Sequence, residues 1–201
     1  MPTLQKLDFK REYAELYRAG SEPTLVEVPM FTYLMIDGHG APGRSEEFAH
    51  SVEALYSASY ALKAMIHERE EFDYVVMPLE GLWFDPGDQI SVSDWTLMIL
   101  QPHHVKPAML NEAVDAVVAK KDLRELRRLR LEDFHEGHAA QVLHVGSYEM
   151  ETPTIERLRR FIEEQGMHRV GRHHEIYLSD PGRTPSEKLR TILRQPARSY
   201  T

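Results

Sequence analysis

Two short apolar runs in this chain close on the same dipeptide, WTLMILQP at Trp95–Pro102 and LRTILRQP at Leu189–Pro196. Each follows a shorter strand-like run with its own turn. Each of those follows a stretch with apolar residues at helical spacing, Phe48–Glu68 in the first case and Pro153–Gln165 in the second. Ahead of each helix stands an apolar run ending on glycine, Leu34–Gly38 and Val142–Gly146. The order strand, helix, strand, strand therefore occurs twice. The copies are offset by 108 residues at the glycines and by 94 at the Gln-Pro pairs, because the first helix is longer. Such a duplication predicts an α+β fold of two antiparallel sheets with helices across them. The halves would be related by pseudo-two-fold symmetry, with a ligand cleft where they meet.

The same patterning predicts the remaining elements. Residues 4–20 read as an amphipathic helix, and Thr24–Val28 as an extended stretch between Pro23 and Pro29. Phe31–Gly38 is the first core strand, and Ser45 opens the first long helix. Asp73–Met77 reads as a strand that continues after a bend at Gly81, with Phe84–Asp88 as its turn. Pro107 starts a linking helix through about Leu123. Arg127–Phe134 and Ala139–Val145 read as a hairpin around His135–His138, and His174–Leu178 as a strand before the closing one. No linker-like segment separates the halves, 31–102 and 139–196, so residues 1–201 form one domain.

Composition narrows the function. A hydrophobic fraction of 42% with no membrane-length apolar run, and an N-terminus without an apolar signal core, predict a soluble cytoplasmic protein with no membrane partner. The absence of cysteine removes disulfides, thiolate nucleophiles and sulfur-bound metals. Lys+Arg 24 against Asp+Glu 32 gives a net charge of −8, which argues against nucleic acid as a partner. The densest basic stretch, Lys120–Arg130, alternates with leucines and reads as a solvated helix face.

The chemistry concentrates in His173-His174-Glu175-Ile176-Tyr177-Leu178-Ser179. Strand alternation puts Glu175, Tyr177 and Ser179 on one face, and Ile176 and Leu178 on the other, against an apolar layer. A lone strand glutamate is usually solvated. However, Trp83, Trp95, Met98 and Tyr148 fall beside the equivalent strands and turns, and they suggest a flat aromatic pocket with one carboxylate at its base. The competing reading of these aromatics is core packing. The histidines show no His-Glu-x-x-His, and neighbours such as His173 and His174 point to opposite faces, so no metal is assigned. No phosphate loop and no Gly-x-Ser-x-Gly elbow occurs, and no cofactor is implied.

FTYLMIDGHGAP, PLEGLWF, DWTLMILQP, QVLHVGSYEMETPTIERLRRFIEEQG and HHEIYLSDPGRTPSEKLRTILRQP together resemble the GyrI-like small-molecule-binding family. The resemblance implies a duplicated strand-helix-strand-strand fold. It also implies an aromatic-walled cleft and a glutamate that meets cationic or polycyclic ligands. Carried onto this chain, the glutamate is Glu175 and the aromatics are Trp83, Trp95, Tyr148 and Tyr177. Some relatives are fused to DNA-binding domains; here thirty residues precede the first core strand, too few for a helix-turn-helix with its connector. Stand-alone relatives with a motif like HHEIYLSDP are implicated in hydrolysing cyclopropanoid genotoxins. For that reaction Glu175 would be the general base, its pKa raised by desolvation, and Tyr148 or Tyr177 the donor to the developing oxyanion. Two other functions fit the resemblance: a non-catalytic module that sequesters hydrophobic or cationic aromatic drugs, and a gyrase-inhibitor-like protein that docks through its acidic surface.

Overall fold

A computed structural model describes residues 6–40, 45–84 and 94–200. Seven strands join in one antiparallel sheet of order β4-β1-β3-β2-β6-β7-β5, with an added pairing of β4 to β7 that closes the first six into a ring. They are β1 (Thr24–His39), β2 (Glu80–Trp83), β3 (Asp94–Gln101), β4 (Arg130–Val145), β5 (Met167–Arg169), β6 (His173–Tyr177) and β7 (Arg190–Ser199). The helices are α1 (Phe9–Glu12), α2 (Ala14–Tyr17), α3 (Glu46–Glu70), α4 (Pro107–Val118) and α5 (Thr152–Glu164). The α+β class expected from the repeat is what the chain adopts. The two expected sheets are hydrogen-bonded into one, because β2 pairs with β6 and β1 with β4 across the halves.

The register carries the repeat. Shifting β1 by 108 residues and β3 by 94 takes the pair Leu34↔Ile99 onto Val142↔Leu193, and both pairs are in register in the sheet. Pairings β1–β3 and β2–β3 of the first half thus have counterparts in β4–β7 and β6–β7. Helix α3 lies against β1 and β3, and α5 against β4 and β7, which leaves the β2–β6 junction between the two helices.

Several sequence expectations are corrected. The N-terminal helix is two short pieces, with Tyr13 between them outside helical geometry. The first core strand runs straight through Pro29. The missing N–H is tolerated because β1 acquires its β3 partner only from Thr32 onward. The Asp73–Met77 strand is absent; Tyr74 makes only an isolated bridge to Leu7. The linking helix stops at Val118, and a 3-10 turn follows at Arg124–Arg128. The hairpin around His135–His138 is instead the middle of one long strand, β4. Gly137, at φ 73°, lies inside it; β1 pairs with β4 in one register from Arg130 to Gln141, past the glycine, and β7 pairs with it from Ala139 to Val145. The expected turn over Asp85–Asp88 lies outside the described residues. Among the described residues no helix is long and apolar enough to cross a membrane.

Ser45 caps α3 by accepting from Phe48 N at 3.1 Å, and Gly166 at φ 69° follows the end of α5. The main core runs from Leu16, Leu34 and Ile36 through α3 residues Leu55 and Leu62 to Leu97, Ile99 and Ile176. A smaller cluster of Val142, Leu158, Ile162 and Leu193 seats α5 on its half. The helices are therefore fixed by separate apolar contacts on either side of the β2–β6 junction.

Candidate functional site

Opposed residues of an antiparallel ladder share a face. Gly81, Trp83, Trp95, His173 and Glu175 therefore stand on one side of the central strands, and Glu80, Met98, His174 and Ile176 on the other. The first side carries the expected aromatics and Glu175. The Glu175 side chain there is only 14% exposed. Tyr177 Oη donates to Glu175 Oε2 at 2.7 Å, and His173 Nε2 lies 3.6 Å from Oε1, beyond hydrogen-bond reach. Tyr148, on the turn before α5, meets the Tyr177 ring edge-on at 5.8 Å. A first side-chain carbon at Gly81 would come 3.0 Å from Trp83 Nε1 and 3.1 Å from Tyr177 Oη. Glycine here leaves the floor between indole and phenol open.

Helix α3 supplies the opposite wall. Phe48 stacks on Trp83 at 6.3 Å and packs edge-on against Trp95 at 5.4 Å. Trp83 is buried, and its Nε1 has no hydrogen-bond partner among the described residues. Trp95 is buried deeper, its indole pressed over Gly38, where even a methyl carbon would meet the ring at 2.0 Å. Trp95 therefore backs the wall. Met98 goes to the other side, opposite Glu80, since three residues on a period of two reverse the face. Of the residues expected at the cleft, Glu175, Tyr177, Tyr148 and Trp83 come together, Trp95 supports them, and Met98 does not join.

Sequence reading missed Glu151. At the start of α5 it looks like an ordinary helix-start acid, favoured there by the helix dipole. The fold instead buries it, leaving it 5% exposed. The groups that bear on its titration are Glu175 and the hydroxyl of Thr191, the residue opposite Tyr177 in the β6–β7 ladder. Its Oε1 has no hydrogen-bond partner among the described residues. Burial, reinforced by the charge of Glu175, pushes the Glu151 pKa up to about 10, so it keeps its proton at neutral pH. Burial and the charges of Glu151 and Glu175 also push Tyr148 up to about 12, which leaves it a hydrogen-bond donor.

Beneath the cleft lies a second cluster that the sequence reading did not single out. His174 Nε2 donates to Glu80 at 2.9 Å and Nδ1 donates to Glu136 at 3.0 Å, with all three side chains buried. Arg194 Nη1 donates to Glu136 at 3.1 Å and Nη2 to the Leu16 carbonyl at 2.7 Å, and Tyr17 Oη donates to Glu80 at 2.9 Å. Burial alone would lower the His174 pKa; the charge of Glu136 and the bonds to both carboxylates raise it to about 9. Burial alone would raise Glu136, but His174 and Arg194 hold it at about 2. Every member has partners, so the cluster ties β2, β4, β6 and β7 to α2 and stiffens the floor under Glu175.

An open hollow of about 600 Å³ lies beyond Trp95, bordered by Asp37, Thr96, Arg128, Arg130 and Arg172. Its charges answer one another: Arg130 pairs with Asp37 at 2.9 Å and Arg128 with Glu47 at 2.8 Å, and Arg172 donates to Thr96 at 2.7 Å. Among the described residues Trp83 Nε1, His173 Nε2 and Glu151 Oε1 lack hydrogen-bond partners, as does Nε1 of Trp95, which borders this hollow.

The β2–β6 junction thus gathers Trp83, Tyr148, Tyr177 and Glu175, with Trp83 Nε1 and His173 Nε2 lacking hydrogen-bond partners among the described residues. The chain belongs to the GyrI-like small molecule binding domain family, whose sequence model matches residues 21–197. It is similar to a hydrolase from Listeria innocua at 34% identity and a TM-score of 0.86, covering 96% of this chain and 100% of that one. A second hydrolase from the same organism is 33% identical with a TM-score of 0.87, over 96% of this chain and 100% of that one. An uncharacterized conserved protein from Listeria innocua is 36% identical with a TM-score of 0.88, again covering 96% of this chain and 100% of that one. No curated protein shows significant similarity to the chain.

Proposed function

We propose that this protein binds planar hydrophobic and cationic aromatic xenobiotics between Trp83, Tyr148 and Tyr177, and hydrolyses cyclopropanoid compounds among them with Glu175 as general base. The observation that carries the reading is a carboxylate 14% exposed, bonded to the Tyr177 hydroxyl and flanked by aromatic rings. The similarity to two hydrolases at 34% and 33% identity supports turnover rather than storage. In the reaction, Glu175 takes a proton from water. The water oxygen bonds to the strained ring carbon, and the ring C–C bond breaks, its electron pair passing through the conjugated system to the carbonyl oxygen. That oxygen needs a donor. Tyr177 Oη is committed to Glu175, so the donor is Tyr148, held protonated and half-exposed at the cleft mouth. The aromatic faces orient the planar substrate.

The test is turnover of a cyclopropanoid substrate by purified protein, read by mass spectrometry as addition of one water. Glu175→Gln is expected to bind substrate without converting it. Tyr148→Phe is expected to slow the step by roughly a hundredfold, the usual effect of losing one oxyanion donor. Equal rates in wild type and Glu175→Gln would remove Glu175 from the mechanism. Unaltered ligand recovered from the wild-type protein would leave a sequestering protein.

A further inference from the structure

The two copies of the repeat differ at a buried cross-strand pair. A shift of 108 residues takes Ile36 onto His144, and a shift of 94 takes Leu97 onto Thr191. Ile36 and Leu97 are opposed in the β1–β3 ladder, and His144 and Thr191 hold the same places in β4–β7. All four are buried, so an apolar pair in the first half is a polar pair in the second. The fold does not need an imidazole as filling, and a buried polar group costs stability unless its bonds are made.

His144 makes its bonds to the stretch Ser147–Thr154, which carries Tyr148. Nε2 lies 3.1 Å from the Ser147 carbonyl oxygen, which only accepts, so Nε2 carries a hydrogen and donates it. Nδ1 meets the Thr154 hydroxyl, in the first turn of α5, at 3.0 Å. The Ser147 carbonyl also accepts from Met150 N at 3.0 Å, closing the short turn Tyr148–Met150. Gly146 lets the ring lie against this turn: its φ is 145°, and a first side-chain carbon there would come 3.1 Å from Nε2. Opposed residues share a face, so His144, Thr191 and Tyr177 form a row across β4, β7 and β6. The turn brings Tyr148 back to the Tyr177 end of that row, edge-on at 5.8 Å.

We infer that His144 is a positioning residue for Tyr148: its bonds to the Ser147 carbonyl and the Thr154 hydroxyl set where the Tyr148 hydroxyl stands toward a ligand. The inference rests on Tyr148 being the donor in the proposed reaction. A hydrocarbon at position 144 would keep the core filled, as Ile36 does in the first half, but would release the turn. A donor displaced by about 1 Å loses much of its hold on a developing charge, at a cost of up to about a hundredfold in rate.

3-Fluorotyrosine placed at position 148 reports the hydroxyl's surroundings by fluorine NMR in the ligand-free protein, beside turnover by the unlabelled variants. In the wild type the Tyr177 ring and the folded turn displace the resonance from its position in the urea-unfolded chain. His144→Ile, which copies the first half of the repeat, is expected to stay folded by thermal melting but to move the resonance most of the way to the unfolded position. His144→Gln keeps an amide N–H at the place of Nε2 and should return the resonance to the wild-type position. In turnover, His144→Ile should lower kcat by roughly ten- to a hundredfold, and His144→Gln should recover most of the loss. In a Tyr148→Phe background His144→Ile should cost less than about twofold, since the group it positions is already gone. An unmoved resonance in His144→Ile overturns the inference. A loss that His144→Gln shares, or one that adds in full to Tyr148→Phe, overturns it as well. If the wild type turns over no substrate, the reaction reading fails, while the fluorine spectra still decide the placement of Tyr148.

Discussion

Replacing His174 by glutamine tests the floor of the cleft without touching its ligand face. The imidazolium sits fully buried between Glu80 and Glu136, and the Arg194 guanidinium is its only cationic neighbour on Glu136 among the described residues. Removing one partner of a buried ion pair leaves an uncompensated charge, at a cost of about 3–5 kcal/mol. The pH dependence is more specific. The folded His174 pKa lies at about 9 against an ordinary 6.5, so the charged form contributes stability that is complete below 6.5 and is lost as pH rises through 9. That displacement corresponds to about 3 kcal/mol. Glu136, held at about 2, reports the same interaction from its partner's side and is not added to it. Its share is lost only as pH falls from 4.5 through 2. Urea unfolding of wild type and His174→Gln at pH 6, 8 and 9.5 measures the difference directly. The variant is expected to be about 3–5 kcal/mol less stable at pH 6, with the gap closing by about 3 kcal/mol toward pH 9.5. Glu151 titrates in both proteins and cancels. A gap that stays constant from pH 6 to 9.5 would refute a charged, ion-paired His174.

Glu151→Gln should act in the opposite sense. A carboxyl whose folded pKa is raised loses stability as pH climbs from 4.5 toward about 10, so the variant should gain about 2 kcal/mol or more at pH 8 and nothing at pH 4. Gly38→Ala places a carbon 2.0 Å from the buried Trp95 indole and should cost about 1–3 kcal/mol, with a red shift of tryptophan emission as the ring is displaced; an unchanged Tm would contradict this packing. Gly81→Ala comes within 3.0 Å of Trp83 and 3.1 Å of Tyr177, at the cleft floor. It should weaken planar-ligand binding more than it changes the unfolding midpoint, which paired titration and melting curves would show.

The duplication was legible in the chain because a repeated backbone path needs repeated local signals: a strand closing on glycine, a capped helix, a strand closing on Gln-Pro. Those offsets relate the two ladders, taking the first register, Leu34 with Ile99, onto the second, Val142 with Leu193, but the register itself came from the fold. The two-residue period also placed Glu175 and Tyr177 together on one face. The same rule, had it been applied across the β2–β3 ladder, would have excluded Met98. Local pattern could not tell a hairpin turn from a glycine inside a strand; pairing with β1 in one register from Arg130 to Gln141, through Gly137, decided for a continuous strand. Nor could it distinguish Glu151 from any acid that opens a helix, or Glu80 and Glu136 from solvated strand glutamates. Their chemistry depends on which charges lie beside them across the sheet. Glu151 meets Glu175 and retains a proton, whereas Glu136 meets His174 and Arg194 and gives its proton up. Burial makes both outcomes large, and burial belongs to the closed sheet and its helices.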